Sequence, residues 1–146
     1  MHRVNTFMDN YDKVKVASQE ATTLKKGFFG EAAFFRAWFY LDKVQKYGDV
    51  PLITHALTVD SPELYAGRDS RKDVMDQVLI DINDACANLP ETWPGKRPNR
   101  VTKGTALALK ARICLYEGTY RKYHNSVISL IMKAGSKKLS AQQKSV

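Results

Sequence analysis

The sequence predicts an all-α fold of helical hairpins with long connecting loops. Three observations carry that prediction. From Ala32 to Tyr47 almost every turn holds an aromatic or aliphatic residue, and Phe34, Ala37, Trp38, Leu41 and Val44 fall on one face of a helix. Segments 1–16, 71–88 and 102–117 are either apolar at helical spacing or apolar nearly all round. Glycine and proline then punctuate the chain at Gly48–Pro51, Leu89–Pro90 and Gly118. With 44% apolar and 26% charged residues over 146 positions, the composition is that of a soluble globular protein. No run of 18 apolar residues exists, so no membrane-spanning helix is expected.

Each element has its own signals. In residues 1–16, Val4, Phe7, Met8, Tyr11 and Val14 form the dry face, with Asp9, Asp12 and Lys13 on the wet side. Asn5 is either an ordinary helix residue or a polar contact inside the bundle. Residues 17–29 are small and polar. Gln19–Lys26 can add a turn or two before the main helix, with Phe28 and Phe29 packing at its start, to make a hairpin with the first helix. In the main helix Phe35 and Phe39 widen the apolar face. Glu31 suits the positive end of the helix dipole, and Lys43 and Lys46 the negative end. Gly48 and Pro51 stop it.

Residues 48–70 then form a connection of a length that is often functional. Val50–Thr54 reads as extended and Ser61–Tyr65 as a single turn. Ser70 and Asp73 fit a capping box for the next helix, Arg71 to Asn88, whose face is Val74, Val78, Ile82, Ala85 and Leu89. Met75, Leu79 and Cys86 flank that face; Asp81 and Asp84 fall on the solvated side. Residues 90–101 contain three prolines and read as a rigid exposed loop with Trp93 at its middle. Thr102 caps a last helix that Ala106, Leu107, Leu109, Ala111, Ile113, Cys114 and Leu115 mark for burial, ending at Gly118. A short apolar run, 127–132, precedes a basic tail that can form a frayed helix.

The wording of these segments is more specific than their periodicity. Gly30-Glu31-Ala32, Arg36-Ala37 and Tyr47-Gly48-Asp49-Val50-Pro51-Leu52 resemble the signature of the SusD/RagB family, nutrient-binding surface lipoproteins of Bacteroidetes. Arg3-Val4-Asn5-Thr6-Phe7 resembles the family's upstream helix. Ile80-Asp81-Ile82 with Ala85 and Leu89-Pro90, Asn99 to Gly104, and Ala108 to Gly118 resemble later words in the same order. Gly118 followed by Tyr120 also resembles the turn of tetratricopeptide (TPR) helix pairs, although Tyr123 departs from that pattern and no clean repeat is present. The resemblance covers roughly residues 3–123.

It implies a TPR-like fold that is here an incomplete domain, with residues 1–124 as the SusD-like helical region and 125–146 as a divergent basic tail. It implies a non-catalytic protein on the outer face of the outer membrane that delivers oligosaccharides to a SusC-like TonB-dependent transporter. A peptide ligand is the other class the family serves. Membrane association would then run through a lipid anchor, and the start of this sequence has neither the apolar segment nor the cysteine of a lipoprotein leader. Binding of a glycan implies aromatic stacking and hydrogen bonds to hydroxyls. The loop aromatics Trp93 and Tyr65 are the candidate ligand contacts, with His55 beside Tyr65. For Trp93 and Tyr65 the competing role is packing.

Other chemistry is poorly represented. The formal net charge is +8, but residues 118–146 hold six basic side chains and no acidic one. The basicity therefore belongs mainly to the tail (Lys133, Lys137, Lys138 and Lys144 with Arg121 and Lys122), and no nucleic-acid partner is expected. Cys86 and Cys114 read as two buried free thiols. No HExxH, CxxC, GxSxG or phosphate-loop motif is present, so no metal, cofactor or catalytic residue is assigned. A helical TPR-like adaptor for protein–protein interaction is the alternative reading.

Overall fold

A computed structural model describes residues 1–95 and 99–142, with side chains described as far as residue 124. Its helices are α1 (His2–Asn10), α2 (Gln19–Tyr47), α3 (Arg71–Asn88) and α4 (Lys103–Gln142), with short 3-10 turns at Tyr11–Lys13 and Pro62–Tyr65. Among the described residues there is no strand, only a single antiparallel bridge between Val50 and Asp69. The chain falls into two compact units, Met1–Ile113 and Cys114–Val146. All-α architecture is thus confirmed.

The core of the first unit lies between α2 and α3. Ala33, Phe34, Ala37, Tyr40, Leu41 and Val44 are buried on α2, and Val74, Met75, Val78, Ile82 and Ala85 on α3. The α3 face is the expected one, and its bounds are the expected ones. Ser70 Oγ accepts from Asp73 N at 3.1 Å and donates to the Asp73 carboxylate at 2.6 Å, so the box closes through the hydroxyl. At the end of α2, Gly48 takes φ +70°, and its N–H still bonds Val44 O at 3.0 Å.

Helix α2 differs from expectation in two ways. It is a single helix of 29 residues that starts at Gln19, where the Ser18 hydroxyl accepts from Ala21 N at 3.1 Å. Glu31 therefore lies deep inside the helix and not at its positive end; its carboxylate holds Arg100 instead. The buried face keeps Phe34, Ala37, Leu41 and Val44 but widens toward Ala33 and Tyr40 instead of toward Phe35 and Phe39. Trp38 was grouped with the core residues by spacing, yet it is 54% exposed, and Phe35 and Phe39 are exposed with it. Ala33, Phe34 and Ala37 are buried, whereas Trp38, one residue on from Ala37 and so about 100° round the helix, is turned outward. Apolar residues on more than one side of a helix leave periodicity unable to choose the buried side.

Two glycines inside α2 serve close approach. A Cβ on Gly30 would stand 2.9 Å from Leu89 Cγ and 3.0 Å from Leu89 N; one on Gly27 would stand 2.7 Å from Trp93 Cη2. Gly30→Ala is accordingly expected to destabilise by about 1–2 kcal/mol, since overpacking against backbone outweighs the helix propensity gained. Gly118→Ala meets nothing within 4 Å and is expected to stabilise by about 0.5–1 kcal/mol. Chemical denaturation of the two variants tests the opposite signs.

Helix α4 also departs from expectation. Gly118 does not end it, because the chain keeps helical geometry there. Thr119 Oγ1 bonds back to Leu115 O and Tyr116 O at 2.8 and 2.9 Å, and the Tyr120 and His124 rings stack at 3.7 Å, one turn apart. In the first unit its burial is confined to one side, at Ala106 and Ile113, while Leu107 is exposed; Leu115, in the second unit, is exposed as well. The thiols follow suit: Cys114 is exposed and Cys86 half-buried, with burial pushing the Cys86 thiol up. The tail lysines Lys133, Lys137, Lys138 and Lys144 lie outside the residues whose side chains are described.

Candidate functional site

The long loop after α2 is tied down by side chains from α1 and α2 and by Asp69 at its own far end. Tyr40 OH donates to Ile53 O at 2.9 Å and accepts from Ile53 N at 2.8 Å. Asn5 Nδ2 reaches both Ile53 O and His55 O at 2.9 Å. Arg36 Nη1 donates to Thr54 O at 3.0 Å. Asp9 accepts from Ala56 N at 2.7 Å, and Asp69 from Leu52 N at 2.6 Å. An extended segment lacking a partner strand must satisfy its backbone some other way, and here side chains do so.

The centre of this network is a buried ion pair. Arg36 Nε and Nη2 grip the two Asp81 oxygens at 2.8 and 2.7 Å, and Gln77 Nε2 adds a third bond to Asp81 at 2.8 Å. Asp81 is fully buried, so its placement on a solvated helix side is corrected. Burial acts to lower the Arg36 pKa, but the Asp81 hydrogen bonds and charge outweigh it, and the guanidinium stays charged. Burial likewise pushes the Tyr40 hydroxyl up, so it remains a donor at neutral pH. Asn5 is 1% exposed: it is a polar contact inside the bundle.

Asp84, one turn after Asp81, has its carboxyl pKa raised, first by burial and then by the Asp81 charge. A raised native pKa contributes stability that is present below the unfolded value and lost as pH rises through the native one. At pH 7 the ionised carboxylate is therefore a net cost. Asp84→Asn is expected to raise the melting temperature by about 1–2 °C at pH 7, with the gain vanishing near pH 3. Melts across that range check it.

The clamped loop carries the first candidate. Tyr65 ends the 3-10 turn Pro62–Tyr65 and is 89% exposed, free of ring contacts among the described residues. His55 Nε2 lies 3.5 Å from Glu63 Oε1 across the same loop. Ser61 Oγ accepts from Thr58 N at 2.9 Å and stiffens the bend before the turn.

Trp93 sits differently. It is 6% exposed, and its indole N–H donates to Val101 O at 2.6 Å. Phe28 stacks on it with centroids 5.7 Å apart, and the Arg100 guanidinium lies 3.9 Å from its ring centroid. Arg100 is held in turn by Glu31, whose hydrogen bonds raise its pKa. The two candidates thus lie on different loops, one open to solvent and one enclosed. Among the described residues no cluster of three metal-binding side chains occurs, and no helix is long and apolar enough to cross a membrane.

A family model described as SusD-like, starch-binding and associating with the outer membrane matches residues 2–115. The chain belongs to the SusD-like family. Curated relatives include SusD-like protein P38 of Formosa agariphila, 34% identical over 104 residues, which cover 71% of this chain and 20% of P38. SusD-like protein P25 of the same organism is 25% identical over 134 residues, 92% of this chain and 25% of P25. Among solved structures, a SusD-like protein of Bacteroides fragilis superposes with a TM-score of 0.72 at 32% identity, covering 82% of this chain and 22% of that one. A laminarin-binding SusD-like protein gives 0.68 at 27% identity, covering 81% and 24%. The chain spans about a fifth to a quarter of the length of these relatives, and the fold it shares with them is helical and TPR-like.

In this SusD-like chain the family words acquire a physical meaning. Asn5, Arg36, Asp49 and Asp81 stand in four of the segments that carry the resemblance. Asn5, Arg36 and Asp81 meet in the clamp, and Asp49 Oδ1 accepts from Arg71 N at 2.8 Å to tie the start of the loop to the start of α3. The arginine–aspartate pair was not found from sequence. Its signals were an arginine within an apolar helix and an aspartate between Ile80 and Ile82.

Proposed function

We propose that this chain is the helical part of a cell-surface glycan-binding protein that passes oligosaccharides to a TonB-dependent transporter of the outer membrane. Family membership supports this reading, and the single observation that carries it to a site is the exposed Tyr65 ring on a loop whose backbone is locked by the Arg36–Asp81 network. A pre-ordered aromatic loses little entropy on stacking against a sugar face. His55 and Glu63 stand on the same loop as hydrogen-bonding partners for hydroxyls. Trp93 acts one step back, holding Val101 and the start of α4 in place. The function is capture and transfer with no bond broken.

Isothermal titration of the chain with laminarin and starch oligosaccharides, and with a peptide pool, tests the reading. Saccharide binding is expected, and Tyr65→Ala should weaken it by about fivefold, the equivalent of ~1 kcal/mol. Binding of peptides alone, or saccharide binding indifferent to Tyr65, would overturn the assignment.

A further inference from the structure

Charge is unevenly distributed along the chain. The whole sequence carries +8, yet the 48–70 loop that bears Tyr65 holds four acidic side chains, Asp49, Asp60, Glu63 and Asp69, and a single basic one, Arg68. Asp9 of α1 adds a fifth carboxylate to this region, accepting from Ala56 N at 2.7 Å. Asp49 and Asp69 are held in the same manner, by Arg71 N at 2.8 Å and Leu52 N at 2.6 Å. Backbone N–H groups satisfy these oxygens without neutralising them. Asp60 is exposed, and the bonds from Ser61 N to Thr58 O and from Leu64 N to Ser61 O, both 3.2 Å, fold 58–64 into two successive tight turns. Asp60 and Glu63 thus sit on the short bend that leads into Tyr65. Arg36, whose guanidinium bonds the loop, is 7% exposed and already engaged with Asp81 and Thr54 O.

We propose that this loop selects neutral saccharides and rejects those bearing carboxylate or sulfate groups, with Asp60 and Glu63 as the residues that set the preference. The inference rests on Tyr65 as the saccharide platform and narrows the class of saccharide it takes. A neutral sugar offers hydroxyl donors, and a carboxylate accepts from them in charge-assisted bonds. An anionic sugar stacked on the same ring brings its own negative charge up to Asp60 and Glu63, and like charges repel. Recognising it would take an arginine or lysine aimed at the acid group. Arg36 is buried on Asp81, and Arg68 is followed directly by Asp69. The net charge of the whole chain would, acting alone, attract polyanions. At physiological ionic strength charges more than about 8 Å away are largely screened, so the carboxylates of the loop itself decide. Discrimination by a repulsive element needs no added contact with the favoured ligand.

The test is isothermal titration of the chain with laminarin oligosaccharides and with the same preparation oxidised at C6. Oxidation turns glucosyl into glucuronosyl units and adds carboxylates with little change of shape. The neutral form is expected to bind about tenfold more tightly at an ionic strength of about 20 mM, and the gap should narrow several-fold at about 0.5 M salt. Asp60→Lys should narrow the gap several-fold at low salt, and Asp60→Asn by less; melting temperatures establish that both variants are folded. The preference is overturned if the oxidised form binds as tightly as the neutral one, or more tightly, while Tyr65→Ala weakens both; that outcome leaves Tyr65 as the platform. A gap that neither salt nor Asp60→Lys moves also overturns it, since shape and not charge would then be the cause. If neither form binds, or binding ignores Tyr65, the saccharide reading falls and the preference falls with it.

Discussion

Asp81→Ala is expected to lower the unfolding free energy by about 3–5 kcal/mol, because it leaves a buried guanidinium without its counter-ion. Arg36 is only 7% exposed and cannot turn to solvent without giving up Thr54 O. Urea denaturation at pH 7 measures the loss. The double replacement Arg36→Met with Asp81→Leu should recover most of it, since an apolar pair of similar volume carries no desolvation cost. Recovery would be incomplete in one respect. Thr54 O would lose its donor, and the 48–70 loop would be left to the bonds of Asn5, Tyr40, Asp9, Asp69 and Asp49. The pair therefore separates two quantities: global stability, which an apolar substitute can supply, and loop order, which it cannot.

Trp93→Ala should be comparably damaging, at about 3–5 kcal/mol for an enclosed indole. The ring fills the gap that Gly27 leaves open, stacks on Phe28, carries Arg100 and holds Val101 O through its N–H. Removing it takes away a packing partner from the start of α2 and from the segment that leads into α4. Trp93→Phe should cost less, about 1–2 kcal/mol, since the ring contacts survive and the Val101 bond does not. Thermal melts order the variants as wild type, Phe, Ala. For saccharide binding the account expects both variants, once folded, to retain the wild-type constant. A folded Trp93→Phe variant with sharply weakened binding would instead make the indole a ligand contact.

Much of this arrangement was legible because its signals are local. The span of α3 follows from Ser70 and Asp73 at one end and Leu89-Pro90 at the other, and each works within one turn of helix. The stop of α2 at Gly48 is local in the same way. What sequence could not show depended on distance. Arg36 and Asp81 are 45 residues apart, and neither carries a mark of its partner. Trp93 stands in a loop that reads as exposed, and although packing was one of its two roles, the partner that encloses it is a glycine in another helix. The side toward which the buried face of α2 widens was open for a related reason. Phe34, Phe35, Trp38 and Phe39 cover more than one side, and only the alanines facing α3 select the buried one. Gly118 shows the limit of a stop signal: glycine permits a helix to end, but residues that continue the hydrogen-bonding pattern carry it through.

A buried polar network from α1, α2 and α3 orders the loop bearing Tyr65. Amide hydrogen exchange on the Arg36→Met, Asp81→Leu double variant tests it most directly. The account predicts that peptides covering residues 50–66 exchange faster by an order of magnitude or so, while the α2 and α3 cores keep near wild-type protection. Unchanged protection of that loop in a folded double variant would contradict it.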